Sequence, residues 1–407
     1  MIAKTIRTAV AVIFVVSYFV SSVFADENLA NINSIVNGNN LFALELYAKL
    51  KKEKGNVFFS PYSISSALAM AYSGARGDTA EEMAKTLHFI PGAENTNPVF
   101  AELNATLDEV QKQGNVKLLI ANSLWPQKGH PFLPEYISLM NRYYGVSVLP
   151  VDYFNAPEDA RTRINGWVEA KTQGKIRDIV QKPLPVDTSL VLVNAIYFKG
   201  NWAHQFDPRR TSNADFLLLN GAKTQVSMMR QGGRFGYREI NDAKLLELPY
   251  MGEQLSMIFI LPNETTQLSK LEDELTSANL HSWLSGIKEQ FVSVDLPKFK
   301  VTWGANDLIK PLKTLGMRKA FMPGADFSGM DGAKNLVIGA LLHKAFVEVN
   351  EEGTEAAAAS VVGMRFGSAL RRSYTFKADH PFLFVIRDNT TGGILFLGRV
   401  IDPNDKT

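Results

Sequence analysis

Apolar residues recur along this chain at two different spacings, and the change from one to the other organises it. From Asn39 the spacing is helical: Phe42, Leu46 and Leu50 fall on one face, and Asn39 or Asn40 can cap the helix that carries them. A second apolar stretch, residues 64–72, follows Ser60-Pro61. A third helix is expected to start at Thr79, where Thr79 and Glu82 make a capping box ahead of Met83 and Leu87. Further on the apolar runs shorten. Residues 190–198, 255–261 and 292–296 are apolar or alternating and rich in Val, Ile and Phe, which predicts strands. Residues 382–386 and 394–400 flank Asp388-Asn-Thr-Thr-Gly-Gly393, turn chemistry that predicts a hairpin. The chain has no internal repeat and no long Pro/Gly/Ser linker. Helices come first, then strands and helices without regular alternation, which reads as one α+β domain over residues 39–407. Residues 26–38, short, polar and Asn-rich, are expected to be a loose lead-in.

The first residues follow neither spacing. Lys4 and Arg7 give a positive start, residues 9–20 are almost wholly apolar, and Val23-Phe24-Ala25 is followed by Asp26-Glu27. That pattern predicts a secretory signal, residues 1–25, cleaved after Ala25. The apolar stretch is shorter than the ~20 residues a membrane span needs, which argues against a retained anchor. The expected mature protein is extracellular, or periplasmic in a bacterium, with no membrane attachment.

Composition narrows the chemistry. Of 407 residues, 46% are hydrophobic and 21% charged, which excludes collagen-like, mucin-like and largely disordered chains. With 43 basic and 41 acidic residues, no strong overall field favours nucleic acid. There are no cysteines, hence no disulfide, thiolate metal site or catalytic thiol. No Gly-x-Ser-x-Gly elbow, P-loop or dinucleotide glycine fingerprint occurs. His88, His130, His204, His281, His343 and His380 are isolated, with no partner at metal-ligand spacing. The acidic pairs Glu81-Glu82 and Glu351-Glu352 are adjacent and do not face each other on a helix. No enzyme activity, metal or cofactor is expected.

One segment remains unexplained by a globular core: Glu351-Glu-Gly-Thr-Glu-Ala-Ala-Ala-Ala-Ser360, continuing Val-Val-Gly-Met-Arg-Phe-Gly-Ser-Ala-Leu-Arg-Arg372. An ordinary long loop or a short Ala-rich helix are the plain readings. Parity says more. Thr354, Ala356, Ala358, Ser360, Val362, Met364 and Phe366 are all small or apolar, whereas both charges, Glu355 and Arg365, fall on the other parity. A strand sends alternate side chains to opposite faces, so this loop can also be a strand with one clean buried face. Gly353 supplies conformational freedom where the backbone must turn.

These residues resemble the hinge of inhibitory serpins, and eight further motifs follow the order of that family: Asn56-Val-Phe-Phe-Ser-Pro-Tyr-Ser63, Trp167-Val-Glu together with Thr172-Gln-Gly-Lys-Ile176, Leu192-Val-Asn-Ala-Ile-Tyr-Phe-Lys-Gly200 with Trp202 and Phe206, Leu248-Pro-Tyr250, Leu296-Pro-Lys-Phe299, Ala325-Asp-Phe-Ser328, His343-Lys-Ala345 and Asp379-His-Pro-Phe-Leu-Phe384. The resemblance implies the serpin fold: three β-sheets, about nine helices and an exposed reactive-centre loop at about residues 351–372. It implies a monomer that inhibits serine proteases as a suicide substrate, the cleaved loop inserting into the main sheet. Glu351, Gly353, Thr354, Ala356, Ala357, Ala358 and Ala359 match the hinge. Ser60, Ser63, Asn194 and His343 match the polar shutter beneath the opening sheet. Trp202 and the Leu248-Pro249 region match framework positions. In the family the cut residue lies fourteen positions after the hinge glycine, which gives Gly367-Ser368, with Arg365, Leu370 and Arg371 as competing sites. Glycine before the bond suits elastase- or subtilisin-like enzymes, which would read Phe366 and Met364, with trypsin- or chymotrypsin-like targets possible. A non-inhibitory carrier, chaperone or storage role is the alternative, but such a hinge tolerates charge, bulk or Pro on the inserting face, and this one has none. No heparin-type site is expected, because residues 79–88 carry Lys85 against two glutamates.

Overall fold

The computed structural model describes residues 29–305, 308–353 and 373–405. The predicted signal, residues 1–25, lies outside them, and no helix among the described residues is long and apolar enough to cross a membrane.

Helix formation starts earlier than expected. Helix α1 spans residues 29–50, so the described part of the supposed loose lead-in is helical. Ile32, Ile35 and Val36 extend the stripe of Phe42, Leu46 and Leu50 backwards at helical spacing, and Ile35 and Val36 are buried. Asn39 and Asn40 do not cap it. Their side-chain amides donate to the carbonyls of Ile394 and Gly392, tying the helix to the C-terminal hairpin. After α1 come β1 (Val57–Phe59), α2 (Pro61–Gly74) and α3 (Gly77–Leu87). Every residue of α2 is buried, with Ser60 as its N-cap. The capping box expected at Thr79 is absent. Helix α3 begins two residues earlier, and both supposed partners serve tertiary contacts: Thr79 Oγ1 accepts from the Asp326 N–H, and the Glu82 carboxylate accepts from the Arg318 and Lys319 N–H groups.

The chain continues through α4 (Ala93–Lys112), β2 (Val116–Pro126), α5 (Pro134–Tyr144), α6 (Pro157–Lys171) and β3 (Leu190–Gly200). Then follow β4 (Ser212–Leu217), β5 (Lys223–Glu239), β6 (Ala243–Pro249) and β7 (Leu255–Pro262). Next come α7 (Leu268–Glu274), α8 (Ser277–Ser285), β8 (Lys288–Pro297), β9 (Phe299–Ala305), α9 (Ile309–Leu315), α10 (Ser328–Asp331) and β10 (Ile338–Val349). The C-terminal strands are β11 (Tyr374–Lys377), β12 (Phe382–Asp388) and β13 (Ile394–Val400). The α+β class holds, and the expected strands and hairpin are present. The strands join into two hydrogen-bonded networks among the described residues. One has four strands in the order β2-β3-β10-β9; the other has nine. Two of the three expected sheets are continuous here because β5 spans both, pairing β4 and β8 along one stretch and β6 at its end.

The four-stranded sheet positions the site. β3 and β10 are its central strands and run parallel, whereas β2 and β9 are antiparallel to them. Val191, Val193, Ala195 and Tyr197 of β3 face α6 in one apolar cluster, while Leu190, Leu192, Ile196 and Phe198 face the main core on the other side. Asn194 belongs to the second parity and interrupts it with a buried amide.

Candidate reactive-loop hinge and the polar cluster beneath it

The interruption at Asn194 is satisfied from three elements. In register across the parallel ladder stands His343 of β10, and across the antiparallel ladder stands Asn122 of β2. His343 Nε2 lies 3.3 Å from the Ser60 N–H and accepts from it, so Nδ1 carries the proton and donates to Asn194 Oδ1. The Asn194 amide donates to the Ser63 carbonyl at 3.0 Å, and it reaches Ser63 Oγ and Asn122 Oδ1 as well. Ser60 Oγ accepts from the Ser63 N–H and donates to the Leu395 carbonyl at 2.7 Å, reaching the second sheet. All four predicted shutter residues therefore meet in one buried network at the start of α2. Burial lowers the His343 pKa to about 3, so the imidazole is neutral. Such a network stabilises the closed strands only while every member is paired.

The hinge sits at the upper end of the same strands. The β3–β10 ladder ends at Tyr197–Phe346, yet β3 runs on to Gly200 paired with β2, and β10 runs on to Val349 paired with β9. The two central strands are thus parted above Tyr197. Into this opening turns the segment Asn350 to Gly353, closed by reciprocal backbone bonds between its ends. Gly353 bridges both Asn350 and Asn201. Its φ is +133°, and a Cβ placed there would lie 2.1 Å from the Gly200 carbonyl oxygen. Glycine is required by the close approach of two backbones as well as by the turn.

Four further groups hold the turn. The Trp202 indole donates to the Asn350 carbonyl at 3.1 Å, stacks on Tyr250 with centroids 4.7 Å apart, and its backbone N–H donates to Glu352 O. The Phe206 N–H donates to Glu351 O. The Glu351 carboxylate accepts from Thr211 Oγ1 at 2.8 Å and pairs with Lys298 Nζ at 2.8 Å. Burial pushes the Glu351 carboxyl up, but Lys298, the residue's own backbone N–H and Thr211 together outweigh it and hold it below the usual range. Sequence reading found Glu351, Gly353 and Trp202 but missed Asn122, Thr211, Lys298 and Asn350. Asn122 carries a signal, a lone amide on the core parity of β2; Lys298 and Thr211 carry none, since a surface Lys or Thr is ordinary. Thr354, Ala356, Ala357, Ala358, Ala359, Arg365, Gly367, Ser368, Leu370 and Arg371 lie outside the described residues.

The fold that carries this arrangement has its match among known proteins. The chain belongs to the serpin family: the family model described as Serpin (serine protease inhibitor) matches residues 37–403. Leukocyte elastase inhibitor from Homo sapiens is 45% identical over 379 residues, covering 90% of this chain and 98% of that protein. Among solved structures, Serpin48 of the insect Tenebrio molitor superposes with a TM-score of 0.81 at 36% identity, over 91% of this chain and 98% of that one. Human thyroxine-binding globulin superposes with a TM-score of 0.85 at 30% identity, over 92% of this chain and all of that one. The chain is not an enzyme.

Proposed function

We propose that this protein inhibits serine proteases as a suicide substrate, its loop after Gly353 entering the four-stranded sheet once it is cut. The observation that carries the reading is the register of Gly353. Its bridges to Asn350 and Asn201 set the pairing of any strand that continues from it. Thr354 then comes between Val349 and Gly200, Ala356 between Val347 and Phe198, Ala358 between Ala345 and Ile196, and Ser360 between His343 and Asn194. Of these, Ala345 and Ile196, and His343 and Asn194, are already partners of one another in the existing ladder, and the other two pairs continue its register beyond its end. A new strand fits without either neighbour sliding. The small and apolar parity of the loop falls on the core side, and Ser360 replaces the direct His343–Asn194 hydrogen bond with its hydroxyl. An inserted run of about 14 residues at ~3.3 Å each carries an attached enzyme tens of ångströms.

The reactive bond of this reading is Gly367-Ser368. Glycine offers a pocket no side chain, so the target reads Phe366 and Met364 and is elastase- or subtilisin-like, in keeping with the name of the human relative. Residues 1–25 are read as a removable leader from their basic start, apolar run and small residues before Asp26. Edman sequencing of secreted protein should begin at Asp26; protein retained in the cell with Met1 intact would refute this.

The deciding experiment incubates the mature chain with elastase-, subtilisin-, trypsin- and chymotrypsin-like proteases. Inhibition yields a complex stable in boiling detergent and a released C-terminal peptide beginning at Ser368. Clean cleavage by every enzyme with no complex refutes the reading. It would favour a binding role, one that the fold also serves in thyroxine-binding globulin.

A further inference from the structure

The β3–β10 ladder ends on a pair of rings. Tyr197 of β3 and Phe346 of β10 are its last cross-strand partners before the strands part. Their rings stack with centroids 5.6 Å apart and planes inclined by 22°. The rungs below them on the α6 side carry no second ring pair, since Ala195 faces Lys344 and Val193 faces Leu342. Tyr197 is buried in the apolar cluster under α6, and the half-buried Phe346 packs against that cluster. The segment that follows α6 reaches both strands at this level. Lys175 Nζ lies 5.4 Å from the centre of the Tyr197 ring on the β3 side. On the β10 side, Lys344 Nζ donates to the Arg177 carbonyl at 2.7 Å. The segment is itself fastened to α6: Arg177 pairs with Glu169 at 2.9 Å, and the Asn165 amide exchanges two hydrogen bonds with the Val180 backbone.

We propose that the Tyr197–Phe346 stack is a clasp, which holds the sheet shut at the margin of the opening and sets the rate at which the sheet admits a strand. This rests on the function proposed above. The two central strands must part at these rings first, because the β3–β10 ladder has no rung above them. The clasp also belongs to the closed sheet alone. Paired strands lie about 4.8 Å apart, so two strands with a third between them stand roughly 9–10 Å apart. Ring pairs attract at centroid separations of about 4.5–7 Å. A strand seated between β3 and β10 therefore abolishes the stack. The interaction stabilises the uncut protein, is missing from the inserted one, and so opposes the step on which trapping depends. Loss of one aromatic pair shifts such a balance by roughly two- to tenfold.

The test is a double-mutant cycle on the full chain: Tyr197→Leu, Phe346→Leu and the double variant. Leucine keeps apolar bulk under α6 and removes the rings. Three quantities are read: the guanidinium unfolding equilibrium of the uncut protein, that of protein cut once in its loop, and the rate at which a detergent-stable complex forms with a saturating elastase-like protease. In the uncut protein the two changes should be coupled by about two- to tenfold in the ratio of folded to unfolded molecules, and in the cut protein the coupling should vanish. Each single variant should form the complex faster than wild type by a similar factor. A merely structural role would weaken cut and uncut protein alike without speeding the complex; Val36→Ala, in α1, is the control for that behaviour. Phe346→Leu, at the half-buried position, keeps the test open should Tyr197→Leu fold poorly, since by itself it should lower the uncut midpoint more than the cut one and quicken trapping. Coupling in the uncut protein no greater than in the cut one, or complex formation by Phe346→Leu no faster than by wild type, would overturn the proposal. A wild type that gains no stability on being cut and traps no protease would instead sink the function on which it rests.

Discussion

At Gly353 one hydrogen atom decides the geometry. Replacing it by a methyl group forces a Cβ against the Gly200 carbonyl at a φ that other residues rarely adopt. Gly353→Ala should cost about 1–3 kcal/mol of backbone strain, read as a lower urea midpoint of the uncut protein. His343 makes a second prediction through its proton. Its pKa is about 3 when folded against 6.5 for the free side chain. The unfolded chain therefore binds the proton first as pH falls. The stability contributed by the neutral ring is whole above about pH 6.5 and declines below it at up to ~1.4 kcal/mol per pH unit. Unfolding free energies at about pH 7 and about pH 5 should differ more for wild type than for His343→Asn; equal slopes would show that another group sets the acid limit. Removing Lys298 strands a buried carboxylate, so Lys298→Ala should lose about 2 kcal/mol, and Glu351→Gln should lose less by the same measurement. At this scale the sequence was readable only in part. Ser60, Ser63, Asn194 and His343 could be found through family resemblance, because nothing in their spacing announces that they meet. Asn122 could be found by parity. Lys298 and Thr211 act through a partner more than fifty residues away in sequence and had no local signature.

Among the elements, strands buried on both faces were legible because continuous apolar runs have few alternatives. β3, β7, β12 and β13 are of this kind. β5 was not expected: Arg230, Gln231, Gly232, Gly233 and Arg234 break its apolar pattern, and only pairing with β8 across that stretch makes it a strand. The start of α3 was misplaced because Thr79 and Glu82 are equally good tertiary partners, and the fold used them so. The start of α1 was misplaced because six asparagines from residue 28 to residue 40 mask the stripe of Ile32, Ile35 and Val36. That stripe gives a prediction. Burial of Ile35 and Val36 is worth about 1.5–3 kcal/mol each, so a chain beginning at residue 39 should unfold several degrees below one beginning at residue 26 in a thermal melt.

For the molecule as a whole, one network links the two sheets through the start of α2, and opening the central strands must exchange its hydrogen bonds. If Ser360 completes that exchange, the loop-cleaved protein should unfold at a higher temperature than the uncut one, with the gain reduced by Ser360→Ala, which leaves His343 and Asn194 short of a partner. Thr354→Arg, which sets a charge on the core parity, should turn the inhibitor into a plain substrate without lowering the uncut midpoint. Survival of trapping in that variant would refute the alternation argument for the loop.

The matching offset of β3 and β10 has a consequence beyond one chain. If the proposed insertion holds, a gap that takes a strand with no sliding recognises alternation and length rather than ownership, so the loop of a second copy would meet the same requirements as the molecule's own. What separates the two outcomes is tethering, because a loop joined to its own sheet is present at a far higher effective concentration than one supplied from solution. Under the proposed mechanism, storage at high concentration would erode that advantage and link copies into chains.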